Sequence, residues 1–243
     1  MFLVKTQKPN KIWDHELYID GTIFWNKETL GCIYNATFLI WWGITTNDLS
    51  FLESGTKALK KCNIMQDNNQ YYGLYFETDL SQNQIDLVTV LACVKCYTKL
   101  YELLNNKSLL SRAKKSAWHV ISKMWSNVND SNGNDITGGL LVTTYKNMGF
   151  PVIGGSELCQ TFEVICELSK HGDDFFVYAK ALLGFCSNYL IREGKLLLGI
   201  YEIIYGHSED WVNSYSSDFA AYATGPFIRG LYLFNTLLEK EKK

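Results

Sequence analysis

The sequence of 243 residues contains only three prolines, Pro9, Pro151 and Pro226. Proline breaks helices because it lacks an N–H group and because its ring clashes with the preceding turn. Long stretches therefore carry no obligatory helix breaker, and apolar residues recur in them at three- and four-residue spacing. This pattern predicts an all-α protein.

Strong charge of either sign is also lacking. Lys and Arg number 23 against 25 Asp and Glu, and the only basic cluster is Lys240, Lys242 and Lys243 near the C-terminus. Nucleic-acid binding depends on basic residues that neutralise phosphates. We therefore expect no nucleic acid among the partners.

Long apolar runs are missing as well, and we expect no secretory leader. The longest runs, such as 38–44 and 196–200, fall well short of the roughly 20 residues that a membrane helix needs. The first residues, Met-Phe-Leu-Val-Lys, lack the basic start and the apolar stretch of a signal peptide. We expect no membrane partner and a cytoplasmic location.

The seven cysteines are an odd number and fall mostly within apolar helical runs. Reduced, buried thiols that pack as small hydrophobic groups are expected there. Cys93 and Cys96 form the only Cys-x-x-Cys pair, and no second pair accompanies them to complete a structural zinc site. We expect neither a metal nor a cofactor.

Apolar periodicity predicts eight helices, joined as hairpins, over 28–46, 49–63, 82–104, 107–127, 156–170, 173–193, 196–205 and 217–239. The length fits one domain, because a single core stops growing at roughly 250–300 residues. We expect a single helical-hairpin domain over 1–243, with an N-terminal extension over 1–25.

Three segments, which start at Asp48, Asn106 and Asp173, resemble one another. Each follows an apolar helix after a short polar turn. Its first polar residue can cap the next helix by accepting hydrogen bonds from free backbone N–H groups. The segments indicate a repeat of about 60 residues, which is at the long end of repeat arrays.

These helix pairs resemble the alpha/alpha-toroid proteins of the six-hairpin glycosidase type. The resemblance rests on the Leu/Phe-x-x-Ala-Lys start of the outer helices and on the acids that open the inner helices, and it covers most of residues 20–240. It implies repeated helical hairpins that form an (α/α) toroid or part of one, with a sugar-binding cleft at the N-terminal ends of the inner helices. About four hairpins are counted where the family has six. Either the toroid is partial, or a second copy or a partner chain completes the ring.

If the inner helices are 28–46, 82–104, 156–170 and 217–239, their opening turns carry Glu28, Asp86, Glu157 and Asp218 at one end of the bundle. Hydrolysis of a glycosidic bond needs one carboxylic acid to donate a proton and often a second carboxylate to activate water. Asp86 and Asp218, each beside an apolar helix face, are the expected catalytic pair. The alternative is that such acids only cap helices, as the macrodipole favours.

Further residues are expected to bind the sugar. Segment 207–215 combines aromatic groups, which stack on sugar rings, with polar groups that bind hydroxyls. Arg229 would hold a substrate carboxylate or pair with a neighbouring acid. Most tryptophans are expected to be packing anchors on apolar faces, whereas Trp25 and Trp211, in loops, would be sugar platforms. The expected substrate-binding set is Glu28, Glu157, His207, Asp210, Trp211, Tyr222, Arg229 and Trp25.

The sequence thus predicts a glycoside hydrolase-like protein that acts on an oligosaccharide or an unsaturated sugar by carboxylate acid/base catalysis. The alternative is a non-catalytic helical-repeat module that binds a sugar or protein, or one subunit of a larger assembly. Two carboxyl groups across one cavity would favour the enzyme. An apolar groove without them would favour the module.

Overall fold

The structure is a computed structural model. It describes residues 2–8, 16–17, 23–25, 30–70, 84–126, 129, 132–140, 143–145, 148–149, 152–192, 195–196, 200–202, 207–209 and 218–242. The chain divides into two compact units, residues 1–113 and 114–243, each of which is described by itself. The single domain with an extension over 1–25 stays a prediction.

Helices carry most of the described chain. They are α1 (Phe2–Thr6), α2 (Ile33–Thr46), α3 (Leu49–Asp67), α4 (Leu87–Leu104), α5 (Lys107–Lys123), α6 (Gly155–Ser169), α7 (Phe176–Phe185) and α8 (Asp218–Glu241). A 3-10 turn precedes α2 at Leu30–Cys32, another precedes α7 at Asp173–Phe175, and a π-helical turn, Cys186–Leu190, follows α7. Among the described residues, no helix is long and apolar enough to cross a bilayer.

Short strands lie in the connections between the helices. They are β1 (Glu16–Leu17), β2 (Ile23–Trp25), β3 (Gln84–Asp86), β4 (Thr143–Tyr145), β5 (Met148–Gly149), β6 (Val152–Gly154), β7 (Ile191–Arg192), β8 (Lys195–Leu196), β9 (Ile200–Glu202) and β10 (His207–Glu209). The pairs β1–β2, β4–β5, β7–β8, β6–β9 and β9–β10 are antiparallel. Because each strand has two or three residues, the predicted all-α class is confirmed.

The helix predicted over 196–205 is wrong. This segment contains the end of β8 and all of β9, which pairs with both β6 and β10. Its run of apolar residues is too short for periodicity to separate a strand from a helix. The Ile-Tyr-Glu-Ile-Ile-Tyr stretch after Gly199 is rich in β-branched and aromatic residues, which favour strands.

The turn between α2 and α3 is made by two polar residues. Asn47 takes the left-handed conformation, with φ of 55°, and so ends α2. Asp48 then caps α3, because its Oδ1 accepts hydrogen bonds from the Ser50 backbone N–H at 2.9 Å and from the Ser50 hydroxyl at 2.7 Å. Asparagine tolerates the left-handed region better than other side chains do.

The turn between α4 and α5 repeats this arrangement. Asn105 has φ of 51°, and Oδ1 of Asn106 accepts from the Ser108 N–H at 3.0 Å and from its hydroxyl at 2.9 Å. The third predicted segment opens differently, with the 3-10 turn Asp173–Phe175 before α7. The repeat seen in the sequence is therefore a true structural repeat in its first two copies.

Small residues bring α2 and α3 close together. A Cβ placed on Gly43 would lie 2.7 Å from the backbone nitrogen of Leu52, and one on Gly55 would lie 2.9 Å from the carbonyl oxygen of Ala36. Both contacts are with backbone atoms, which cannot rotate away. These two glycines therefore set the spacing of the first hairpin.

All seven cysteines are free and buried, as the sequence predicted. Cys32 and Cys62 share a contact of 3.4 Å between their sulfur atoms. Burial raises the pKa of Cys96 to about 12. The Cys93 and Cys96 pair packs in the core of residues 1–113, with 0% and 3% exposure.

Candidate functional site

In residues 114–243, α6 and α8 run side by side in the same direction. Phe162 packs on Phe227 and Phe234, with ring centroids 5.7 and 5.8 Å apart. Ser169, two turns beyond Phe162 on α6, lines the same small cleft as Leu237, which lies about one turn beyond Phe234 on α8. Because both contacts advance along the two helices together, the N-terminal ends of α6 and α8 lie at the same end of this unit.

Two of the predicted acids stand at that end. Glu157 lies in the first turn of α6, and Asp218 is the first residue of α8. Glu157 is half-buried, and its Oε2 accepts a 2.6 Å hydrogen bond from the Ser156 hydroxyl. The Asp218 side chain lies outside the described residues. The expected placement of these acids in opening turns is thus found for both backbones.

A three-stranded sheet leads into the same end. The strand order in this sheet is β10-β9-β6. The edge strand β6 ends at Gly154, directly before the first residue of α6. In the sheet the backbone of His207 pairs with Glu202, and Glu202 pairs with Val152. His207 is therefore brought near the start of α6 through its strand.

Residues 1–113 have an acid in a similar place. Asp86 ends β3 and directly precedes Leu87, the fully buried first residue of α4. The helix was predicted to begin at 82, so Asp86 lies just before the first turn and not inside it. Its side chain is outside the described part of the chain.

Of the remaining predicted residues, the structure describes either the backbone alone or nothing. Trp25 ends β2, and Tyr222 lies in the second turn of α8, but neither side chain is described. Glu28, Asp210 and Trp211 lie outside the described residues. Their roles in sugar binding stay predictions.

Arg229 pairs with two carboxylates of α6. Its Nη1 lies 3.0 Å from Oε1 of Glu163, and its Nη2 lies 3.3 Å from Oε2 of Glu167. The two glutamate side chains are only 5% and 9% exposed, and Lys170 also contacts Glu167 at 2.6 Å. Of the two roles expected for Arg229, these contacts support pairing with neighbouring acids.

Glu163 and Glu167 were missed by the sequence analysis, although a signal was present. They stand four residues apart in a helix whose other positions are mostly apolar. Buried carboxylates need a cation or several hydrogen-bond donors. An i, i+4 pair of glutamates on such a helix could therefore have been matched to a basic residue on a neighbouring helix.

An open groove of about 520 Å³ runs between α2 and α4. The α2 side is aromatic, and its three rings, on Tyr34, Phe38 and Trp41, are 47%, 39% and 45% exposed. The α4 side is lined by Lys95, Cys96, Lys99, Glu102 and Leu103. Trp41 is therefore not the buried packing anchor that most tryptophans were expected to be.

In the described ranges, no three His, Cys, Asp or Glu side chains come close enough to share a metal ion. The polar groups at the start of α6 are instead carboxylate and hydroxyl groups that hydrogen-bond each other. These groups suit proton transfer and the binding of hydroxyl groups.

No protein-family model and no curated protein matches this sequence. Solved structures do match. One is an inactive variant of an alpha-1,6-mannanase from Salegentibacter sp. in complex with alpha-1,6-mannotetrose, with a TM-score of 0.69, 13% identity and coverage of 97% of this chain and 63% of the mannanase. A cellobiose 2-epimerase from Bacillus thermoamylovorans gives a TM-score of 0.66 at 12% identity, covering 96% of this chain and 63% of the epimerase.

An unsaturated glucuronyl hydrolase specific for heparin is also similar, with a TM-score of 0.58 at 13% identity. The match covers 98% of this chain and 66% of the hydrolase. These neighbours have six-hairpin (α/α) toroid folds, so the helical-hairpin toroid class predicted from the sequence is confirmed. At such low identity the likeness shows the fold alone. The chain spans about 63% of the mannanase and of the epimerase.

Proposed function

We propose that this chain is a carbohydrate-active, glycoside hydrolase-like protein that acts on an oligosaccharide or an unsaturated sugar. The observation that carries the proposal is the acid at the start of successive inner helices: Asp86 before α4, Glu157 in the first turn of α6 and Asp218 at the start of α8. In this chain these acids stand on a toroid fold. Solved structures similar to the chain include a mannanase and a glucuronyl hydrolase.

Asp86 and Asp218 are the proposed acid/base pair. One carboxyl group would protonate the leaving oxygen of the sugar, and the other would activate water or attack the sugar carbon. A helix N-terminus stabilises a carboxylate by its partial positive charge. It therefore suits the member of the pair that must be ionised.

The remaining groups would bind and orient the sugar. Glu157 contributes a half-buried carboxylate at the start of α6, and the Ser156 hydroxyl holds that carboxylate in place. His207 is a further proposed binding group, and its backbone lies on β10 of the sheet that leads into α6. Further proposed binding groups are Glu28, Trp25, Asp210, Trp211 and Tyr222. Arg229 is left out of the cleft, because its contacts with Glu163 and Glu167 already account for its charge.

The test is turnover of the wild type and of the Asp86→Asn and Asp218→Asn variants. Substrates would include alpha-1,6-manno-oligosaccharides, cellobiose and an unsaturated glucuronyl disaccharide, with products followed by chromatography. Loss of one acid/base group is expected to lower kcat by about 10²–10⁴-fold. Full activity in both variants would contradict the proposal.

Asp48→Asn is the matched control for these variants. It removes the same charge from another helix start, and asparagine is as good a helix cap as aspartate. It should leave turnover and stability nearly unchanged. A fall in kcat equal to that of the Asp86 and Asp218 variants would show that the effect is not specific to the proposed pair.

The second candidate is a non-catalytic helical-repeat module that binds a sugar or a protein partner. It is favoured by the open aromatic groove between α2 and α4. Thermal shift against the same sugars separates the candidates, because a ligand of the native state raises apparent stability. Binding without turnover would favour the module, and turnover would favour the enzyme.

A further inference from the structure

Two cysteines meet at the open end of the first helical hairpin, which is formed by α2 and α3. Cys32 ends the 3-10 turn directly before α2, and Cys62 lies in the second-last turn of α3, 30 positions further along the chain. Their sulfur atoms are 3.4 Å apart. The polar turn at Asn47 and Asp48 closes the other end of this hairpin. The thiol contact therefore lies opposite the turn, where α2 begins and α3 ends.

The hairpin of α6 and α7 has a thiol pair in the equivalent place. Cys159 lies in the second turn of α6, and Cys186 directly follows α7. Contact with the Cys159 thiol, together with burial, raises the pKa of Cys186. In each of the two units, a cysteine near the start of one helix thus touches a cysteine at or near the end of the next. Buried cysteines ordinarily pack as small hydrophobic groups, a role that does not require two sulfur atoms in contact.

The pair in the first hairpin is shielded from solvent. Cys32 is 7% exposed and Cys62 is fully buried. The contact with Cys32 and burial raise the pKa of Cys62 well above its usual value. Because the thiolate is the reactive form, attack on a reagent in solution is slow. The equilibrium between thiols and disulfide depends instead on how closely the native fold holds the two sulfur atoms, which sets their effective concentration.

The distance between the two sulfur atoms is close to that of a bond. A disulfide holds its sulfur atoms about 2.05 Å apart, so this pair must close by about 1.4 Å. Rotation of the two side chains about their Cα–Cβ bonds moves the sulfur atoms by such a distance while the helices stay in place. The native hairpin therefore favours a bond between these two thiols.

We propose that Cys32 and Cys62 are a site of reversible oxidative modification, at which a low-molecular-weight disulfide such as oxidised glutathione converts the two thiols into a disulfide across the open end of the hairpin. The Cys32 thiolate, on the more exposed residue, attacks one sulfur of oxidised glutathione and displaces a glutathione thiolate. The Cys62 thiolate then attacks Sγ of Cys32 and displaces the second. One S–S bond breaks in glutathione, one forms in the protein, and the two thiol protons pass to the two glutathione molecules.

Peptide mapping of the wild type is the first test. The reduced full chain is equilibrated in buffers from reduced to fully oxidised glutathione, free thiols are alkylated, and a tryptic digest is examined by mass spectrometry. Cys32 lies in tryptic peptide 28–57 and Cys62 in peptide 62–95, which also contains Cys93, so fragmentation locates the bond. A Cys32–Cys62 cross-link that dithiothreitol reverses is expected. Alkylated thiols at both positions in every buffer, or a bond from Cys32 to another cysteine, would overturn the proposal.

Thermal unfolding is the second test, in the Cys186→Ala background, where the other thiol pair cannot form. Oxidation should raise the melting temperature by at least about 5 °C, because a bond between Cys32 and Cys62 restricts the unfolded chain. Adding Cys62→Ala should abolish the rise and the cross-link. Cys166→Ala is the matched control, since Cys166 is a buried cysteine of α6 outside both pairs, and it should keep both effects.

An equal rise in melting temperature with and without Cys62→Ala would contradict the proposed bond. The wild-type digest needs no substitution, so it decides the question whether or not the variants fold. A Cys32–Cys62 cross-link that appears only after unfolding in guanidinium would also overturn the proposal, because the native hairpin would then not be what brings the two thiols together.

Discussion

Gly230 of α8 lies directly against the ring of Phe162 in α6: a Cβ on Gly230 would come 2.5 Å from Cδ1 and 2.9 Å from Cε1 of that ring. Phe162 is fully buried between Phe227 and Phe234, so its ring has no free space to enter. Gly230→Ala is therefore expected to lower the free energy of unfolding by about 1–3 kcal/mol. Denaturant titration followed by circular dichroism measures this change.

Gly184→Ala in α7 is the matched control. A Cβ at Gly184 meets no atom within 4 Å, and alanine favours a helix interior over glycine. This variant should be neutral or more stable by up to about 1 kcal/mol. Equal losses in the two variants would contradict the close contact of α6 with α8.

Arg229→Met removes a cation from two buried carboxylates. Breaking a fully buried ion pair costs about 3–5 kcal/mol, but the Arg229 side chain is 47% exposed and an exposed pair contributes far less. We expect a loss of about 2 kcal/mol in unfolding free energy. The Arg229→Met/Glu163→Gln double variant should lose less than the sum of the two single changes, because it leaves less uncompensated charge.

Lys57→Ala is the control for this prediction. Lys57 pairs with Glu53 at 3.6 Å, and both side chains are at least half exposed. Such surface pairs contribute about 0–1 kcal/mol. If Lys57→Ala lowered the unfolding free energy as much as Arg229→Met does, burial of Glu163 and Glu167 would not be the reason that their ion pairs stabilise the fold.

The Asp48 cap predicts an acid-sensitive contribution to stability. Hydrogen bonds from the Ser50 hydroxyl and N–H hold the pKa of Asp48 below its usual 3.8. The folded chain then binds this proton less readily than the unfolded chain does. The stabilisation is complete above the unfolded value and is lost as the pH falls through the lower, folded pKa.

Thermal unfolding of wild type and Asp48→Asn across this acidic range checks the prediction. Near neutral pH the two should melt at nearly the same temperature, and as the pH falls the wild type should drop below Asp48→Asn, since asparagine caps the helix without titrating. The matching cap Asn106, which bonds Ser108 in the same geometry, carries no such proton. Asn106→Ala should cost about 1 kcal/mol at every pH.

His119 predicts a second pH effect, nearer neutrality. Burial disfavours its charged form, and Lys123 and Lys115 add repulsion, so the pKa of His119 lies below its usual 6.5. The unfolded chain binds this proton first, so stability is intact above pH 6.5 and falls as the pH drops toward the folded pKa. His119→Gln should remove this part of the decline in melting temperature. Parallel curves for wild type and variant would contradict it.

The seven free cysteines predict slow reaction with thiol reagents. Burial raises the pKa of Cys96 and of Cys166 to about 12, so little thiolate is present at ordinary pH. The thiolate is the reactive form. Native protein should react slowly with a disulfide reagent, and all seven thiols should react once it is unfolded in guanidinium. Rapid labelling of native protein at Cys96 would contradict its burial.

Local sequence was sufficient for most of the helices. Spacing of apolar residues located seven of the eight predicted helices, because the 3.6-residue period depends only on neighbours in the chain. The turns with Asp48 and Asn106 were readable for the same reason, since each cap bonds a residue two positions away. The segment 196–205 was misassigned because β9 is held by pairing with β6 and β10, which local pattern does not reveal.

For the candidate site, too, part could be predicted from local sequence and part depended on tertiary packing. That acids open α6 and α8 was readable from the sequence, since a helix start is marked locally by its first residues. That α6 and α8 lie parallel, so that Glu157 and Asp218 belong to one end, depends on packing between residues more than 60 positions apart.

The sequence by itself determined the helical class, the hairpin turns and the acids at the helix starts. Tertiary structure alone decided that Arg229 faces Glu163 and Glu167, and that Trp41 stands open in a groove. The physical reason is the distance along the chain over which each interaction acts. Capping and helical periodicity act within one or two turns, whereas exposure and charge pairing depend on which distant helix covers a given face.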